Sequence, residues 1–129
     1  MTKPRTSTTR ELYGIIGKIP NAGAVQSQWN AFFAKEGMDA FMDKYPTTVA
    51  TLPERLSEMF HFDRRLYLVG KPLQEAIIPL LDALDQSAEE GGVDCVVNNG
   101  GVLTGYRVQD NECTPLEVLR VCGFKNAGA

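Results

Sequence analysis

The 129-residue sequence predicts an α/β fold: a three-layer sandwich whose mainly parallel mixed sheet carries a C-terminal β-hairpin and helices on both faces. Three observations carry that expectation. Short apolar runs bounded by Gly or Pro alternate with segments of helical period, the pattern of parallel strands joined by crossover helices. An Asn-Gly-Gly turn joins the last two strand-like runs. The chain is 43% hydrophobic and 22% charged, the balance of a globular domain.

Taken in order, Leu12-Tyr13-Gly14-Ile15-Ile16-Gly17 is a buried-strand run. Pro20, Asn21 and Gly23 mark a loop. From Ala24 to Glu36, Val25, Trp29, Phe32 and Phe33 recur at helical spacing, which assigns the aromatics to a core stripe, and Gly37 stops the helix. Ala40 to Tyr45 is a second strand closed by Pro46. Thr51-Leu52-Pro53-Glu54 has capping-box spacing and opens a helix over Leu56, Met59 and Phe60. His61 reads as a partly buried loop residue, and Asp63-Arg64-Arg65 as a solvated turn. Leu66 to Val69 is a third strand. A helical pattern from Leu73 to Leu84 follows, kinked or delayed by Pro79. Val93–Val97 and Val102–Val108 are strands joined at Asn98-Asn99-Gly100-Gly101. Thr114-Pro115 opens a last helix, stopped by Gly123. The predicted order is β-α-β-α-β-α-β-β-α. Residues 1–10 read as a flexible polar tail and 11–129 as one domain. In such sheets ligands sit outside the carboxyl ends of strands, which selects the loops after Gly17, Gly70 and Tyr106.

Composition removes several functional classes. No run of about 18 apolar residues occurs, so no membrane-spanning helix is expected. A net charge of −3 with no Lys/Arg cluster argues against a nucleic-acid partner. The start, Met1 to Ser7, has no apolar stretch of the secretory kind. With three cysteines this predicts a reducing, cytoplasmic setting. Cys95, Cys113 and Cys122 lack metal-site spacing, and His61 is the single histidine, so no metal is expected.

Three segments carry a resemblance. They are Tyr13-Gly14-Ile15-Ile16-Gly17 with Trp29-Asn30-Ala31-Phe32, then Pro72-Leu73-Gln74-Glu75-Ala76-Ile77-Ile78-Pro79-Leu80-Leu81-Asp82, then Gly91-Gly92-Val93-Asp94-Cys95-Val96-Val97-Asn98 followed by Leu103-Thr104-Gly105-Tyr106. Over residues 11–110 or so the chain resembles the N-terminal, substrate-binding domain of shikimate dehydrogenase. That family couples NADP to shikimate and dehydroshikimate through a second, Rossmann domain. This sequence contains no G-x-G-x-x-G, so the resemblance implies no cofactor bound by this chain in the family's manner.

The resemblance also implies a changed site. The family's lysine falls on Gln74, whose amide exchanges no proton near neutral pH. The family's aspartate falls on Gln109, with Asp110 adjacent. The paired serines fall on Gly23 and Val25, and the threonine of the lysine motif on Gly70. The Asn-Thr pair falls on Asp94 and Cys95. The scaffold positions are kept while the ligand positions differ.

Candidate binding residues are therefore Gln74, Asp94, Gln109, Lys71, Arg107, Gly23 and Gly70, with no catalytic residue among them. Each has a plainer reading. Lys71 is a substitute base or a solvated lysine after a strand. Asp94 recognises a hydroxyl or amine, or bonds backbone at a strand start. Arg107 receives a ligand carboxylate, or is a surface cation. Gln74 and Gln109 can donate and accept hydrogen bonds without chemistry. Cys95 reads as a buried strand residue.

Three functions compete. The chain is a module binding a small polar cyclic ligand, less acidic than shikimate or cationic, with no hydride transfer alone. Alternatively it is the substrate half of a split or truncated NADP-dependent dehydrogenase with a separate Rossmann-type partner. Thirdly, it is a dimerisation or interaction module using apolar residues such as Val118 and Phe124.

Overall fold

The computed structural model describes residues 10–89, 91–108 and 114–123. The expected tail, Arg10 excepted, lies outside them, as do Gln109, Asp110, Cys113 and Phe124. Arg10 itself pairs with Asp39 at 3.0 Å.

The elements run β1 (Glu11–Ile16), α1 (Ala22–Lys35), β2 (Ala40–Tyr45), α2 (Leu52–His61), β3 (Arg64–Val69), β4 (Ala83–Leu84), β5 (Cys95–Asn99), β6 (Val102–Tyr106) and α3 (Pro115–Val121). They form one six-stranded sheet ordered β2-β1-β3-β5-β6-β4. β1 pairs in parallel with β2 and β3, and β6 with β4. β5 is antiparallel to both neighbours, so it alone runs against the other five.

Strand alternation divides the core into two layers. Tyr13, Ile15, Leu66, Leu68, Cys95 and Val97 face one side, where Trp29 and Phe33 of α1 and Val118, Leu119 and Cys122 of the α3 region cover them. Ile16, Tyr67, Val69 and Val96 face the other, under Leu52, Leu56 and Met59 of α2 with Leu73 and Ile77. The aromatic stripe expected on α1 is core: Tyr13 and Phe33 ring centroids lie 4.8 Å apart and Trp29 and Phe33 5.8 Å.

Five local expectations are corrected. The 73–84 segment is not a helix. Two 3-10 turns, Lys71–Leu73 and Ile78–Leu80, precede β4. Pro79 has no N–H to continue an α-helix, and Leu80 and Leu81 bond three residues back instead. Asp82 and Asp85 then bond Leu103 and Gly105 across the sheet edge. Thr51 forms no capping box; its hydroxyl accepts from Thr48 N–H at 2.8 Å. His61 is the last residue of α2 and is exposed. Arg64 and Arg65 belong to β3 and are half-buried. Arg64 pairs with Glu58 at 3.1 Å and lies over the Tyr45 ring at 4.0 Å. Val118, expected on an open face, is 2% exposed and packs in the core.

The hairpin forms as the sequence predicts. Asn99 pairs with Val102, leaving Gly100 and Gly101 as a two-residue turn with φ of 62° and 96°, a conformation glycine adopts without strain. At the opposite side of the sheet, Asn30 of α1 closes the outer edge of β2. Its Oδ1 accepts from Met42 N–H at 2.7 Å and its Nδ2 donates to Met42 C=O at 3.0 Å. A side-chain amide thereby occupies the place of a neighbouring strand.

Candidate functional site

One edge of the sheet collects the carboxyl ends of β3 and β6 and the approach to β5. Lys71, Pro72, Gln74, Glu75, Gly91, Gly92 and Arg107 line a cleft of about 610 Å³ there. Two of the three loops selected from sequence, those after Gly70 and Tyr106, supply it. The loop after Gly17 lies beside Gly70 without lining the cleft.

Gly70 is where β3 leaves the sheet. Its N–H donates to Ile16 C=O at 2.8 Å, and a Cβ there would overlap the Lys18 backbone. Only glycine lets the two strand exits approach this closely. Lys71 and Pro72 then turn the chain outward in a 3-10 turn, and Lys71 is exposed at the cleft mouth.

Gln74 is buried, 9% exposed. Its Nε2 donates to Val69 C=O at 3.1 Å, and its own carbonyl accepts from Val93 N–H at 2.9 Å. The side-chain amide thus holds the exit of β3 and the backbone carbonyl the approach of β5. Gly92 packs against it, and a Cβ at Gly92 would crowd the Gln74 Cβ.

Asp94 is 3% exposed and does not line the cleft. Its Oδ1 accepts from Val108 N–H at 2.6 Å, its N–H donates to Tyr106 C=O and its C=O accepts from Val69 N–H. The backbone-bonding alternative describes it.

Arg107 crosses the rim. One terminal guanidinium nitrogen donates to Gly92 C=O at 3.1 Å, and the side chain lies along Gly91. Its own N–H donates to Ser87 Oγ at 3.1 Å. Ser87 is in turn held by Asp85, whose carboxylate accepts from Ser87 N–H at 2.9 Å. Hydrogen bonds from the Ser87 side chain and backbone hold the Asp85 carboxyl below the usual carboxylate range.

The cleft therefore unites Lys71, Gln74 and Arg107 of the predicted set. Asp94 lies off the lining with its carboxylate bonded to Val108 N–H, and Gly70 precedes the lining, pressed against the Lys18 backbone. Gly23 does not line it: it lies exposed in the first turn of α1, with open space where a Cβ would stand. Val25 packs against the core. Gln109 lies outside the described residues.

Glu75, Gly91, Gly92 and Ser87 were not selected from sequence. Gly91-Gly92 stood inside a quoted segment, and the double glycine ahead of a strand was the available signal. Charged groups on the described lining are two cations, Lys71 and Arg107, and one anion, Glu75. No group of three or more metal-ligating side chains occurs among the described residues, and no helix among them is long and apolar enough to cross a membrane.

Comparison with known proteins follows the same lines. No family model matches the chain. A shikimate dehydrogenase (NADP(+)) of Symbiobacterium thermophilum is 34% identical over 114 residues, covering 82% of this chain and 37% of that protein. A second, from Halothermothrix orenii, is 43% identical over 56 residues, 43% of this chain and 19% of that one. A crystal structure of shikimate 5-dehydrogenase from Listeria monocytogenes, in complex with shikimate and NAD, superposes with a TM-score of 0.72 at 29% identity. It covers 81% of this chain and 37% of that one. The chain thus spans little more than a third of the length of these relatives. Sequence and superposition agree: this chain has a shikimate-dehydrogenase-like α/β fold over about 80% of its length.

Proposed function

We propose that this domain binds a small hydroxylated carboxylic acid in the cleft between Lys71 and Arg107, without transferring hydride on its own. The observation that carries the reading is the charge arrangement on the lining: two cationic side chains against one carboxylate, Glu75, with buried Gln74 between. A guanidinium and an ammonium at one mouth favour an anion. Hydroxyls of such a ligand suit the exposed edges of Gly91 and Gly92 and the carboxylate of Glu75. Asp94, one ground for expecting a less acidic ligand, lies off the cleft lining with its carboxylate bonded to Val108 N–H, and the lining charges favour an acid. Binding of shikimate is stated for the Listeria protein and gives the first ligand to try.

The absence of hydride transfer rests on Gln74. Its amide neither gives nor takes a proton near neutral pH, and its Nε2 is engaged at Val69. A second reading, the substrate half of an NADP-dependent enzyme, is favoured by coverage of only 37% of the Symbiobacterium relative. It predicts turnover once a nucleotide-binding protein is supplied.

An amide-resolved NMR titration of the chain with shikimate, dehydroshikimate, quinate and an amino-bearing cyclic polyol tests the proposal. Saturable shifts at Lys71, Gln74, Gly91, Gly92 and Arg107 with the acids are expected. Arg107→Ala should weaken binding about tenfold or more, the loss of one charge-assisted contact. Shifts with the amine alone, or with none, would overturn it. Titration with NADP and a turnover assay with a nucleotide-binding partner separate the two readings.

A further inference from the structure

The search of the molecule beyond the cleft leads to two sulfurs. Cys95 opens β5 and Cys122 caps the C-terminus of α3. They stand 27 residues apart in sequence, yet their Sγ atoms are 3.5 Å apart in the core. Both are free thiols, 0% and 6% exposed. Neither takes part in the cleft.

We propose that Cys95 and Cys122 are a redox-sensitive pair which closes to an intramolecular disulfide and fastens α3 to the sheet. A disulfide needs the sulfurs at about 2.0 Å, so closure asks for about 1.5 Å of approach, within reach of side-chain rotation and a small shift of a helix end. The partner elements make that shift credible. β5 is bonded on both sides, to β3 and β6, and holds Cys95 fixed. α3 has only seven residues and docks through Val118, Leu119 and Cys122 itself. Short helices with few docking residues open locally at low cost.

The oxidant is a low-molecular-weight disulfide such as oxidised glutathione. Cys122, the less covered sulfur, attacks as its thiolate, forms a mixed disulfide and releases one small thiol. The Cys95 thiolate then displaces the second small thiol, and the Cys95–Cys122 bond forms. Two protons leave the protein and two electrons pass to the small disulfide. The order follows from burial, which pushes the Cys95 thiol well up, aided by the adjacent Cys122 sulfur. Cys95 is therefore the resolving and not the attacking thiol.

The test compares the 129-residue chain equilibrated in reduced and oxidised glutathione, read by intact mass and non-reducing peptide mapping. The expected result is a loss of two hydrogens, about 2 Da, with one cross-linked peptide pair joining Cys95 to Cys122. The oxidised form should melt at a higher temperature, with slower amide exchange in α3. Cys122→Ala should abolish both shifts while keeping the reduced melting profile near that of wild type. Cys95→Ala, should the first variant not fold, should abolish them equally. A cross-link through Cys113, glutathione adducts alone, or three free thiols at full oxidant would overturn the proposal. So would an oxidised form that melts no higher than the reduced one.

Discussion

Asp94 shows how far a residue's type can be read and where geometry decides. Carboxylate at a strand start allowed two roles, ligand contact or backbone bond. The structure shows the backbone bond, 2.6 Å from Val108 N–H to Oδ1. Asp94→Ala leaves a buried N–H without its acceptor and should cost about 1–3 kcal/mol. Asp94→Asn keeps an acceptor oxygen and should cost less; chemical denaturation of the two variants checks the ranking. Gly70 makes a sharper case. Its φ of −70° is ordinary, so nothing about its conformation demands glycine. The demand comes from the Lys18 backbone pressed against it, a long-range contact that no local pattern reports. Gly70→Ala should lower stability by about 1–3 kcal/mol through overpacking, read as a lower melting temperature, although alanine suits that φ and ψ. Lys71 and Arg107 were legible as cations near strand ends, whereas the partnership of Arg107 with Gly91 and Gly92 was not. It depends on β6 lying beside β5.

At the scale of elements, strands were readable because burial on alternate faces leaves a mark in the sequence. Caps were less so. Thr51-Leu52-Pro53-Glu54 and Thr114-Pro115-Leu116-Glu117 share one pattern, Thr-x-x-Glu with a Pro between. Only the second closes a capping box. Thr114 has φ −69° and ψ 158°, which aims its hydroxyl at Glu117 N–H. Thr51 has φ −95° and ψ −1°, drawn into reciprocal bonds with Thr48. Thr114→Ala should therefore cost about 1 kcal/mol, while Thr51→Ala loosens the 48–51 turn without removing a cap; guanidinium melts of both separate them. The 71–84 segment failed as a helix for a related reason. Its apolar spacing is helical, and Leu73 and Ile77 are buried accordingly. The backbone N–H groups of Asp82 and Asp85 nevertheless go to β6, a competitor invisible in a window of ten residues. Asn30 works at this scale too. Asn30→Ala uncovers the N–H of Met42 on an edge strand, while its C=O still accepts from Gln26 Nε2 at 3.1 Å, and self-association by light scattering should rise.

The whole molecule has a signature on the alkaline side. All four tyrosines, Tyr13, Tyr45, Tyr67 and Tyr106, have their phenols pushed above the ordinary value of 10.0, burial being the first cause in each. The unfolded chain loses these protons near its ordinary value, while the folded chain keeps them. Above about pH 10 the folded state binds more protons, so stability falls as pH rises. Melting temperature should hold near neutrality and drop steeply past that point. The tyrosinate absorbance of the fully buried Tyr13 and Tyr67 should rise together with unfolding, whereas half-buried Tyr106 can ionise earlier. Ionisation of more than two tyrosines in the folded protein would contradict this account.

The reversed direction of β5 has a consequence for how the cleft is encoded. Because β5 alone runs backwards, its approach meets the exits of β3 and β6 at one sheet edge, and every described lining residue falls between 71 and 107. β1, α1, β2 and α2 contribute none. The described lining is therefore contiguous in sequence, on a stretch that shares both core layers with the first half of the domain. Exchange of residues 70–108 with the matching stretch of a relative should transplant ligand preference whole, leaving the first half of the domain as an unchanged host.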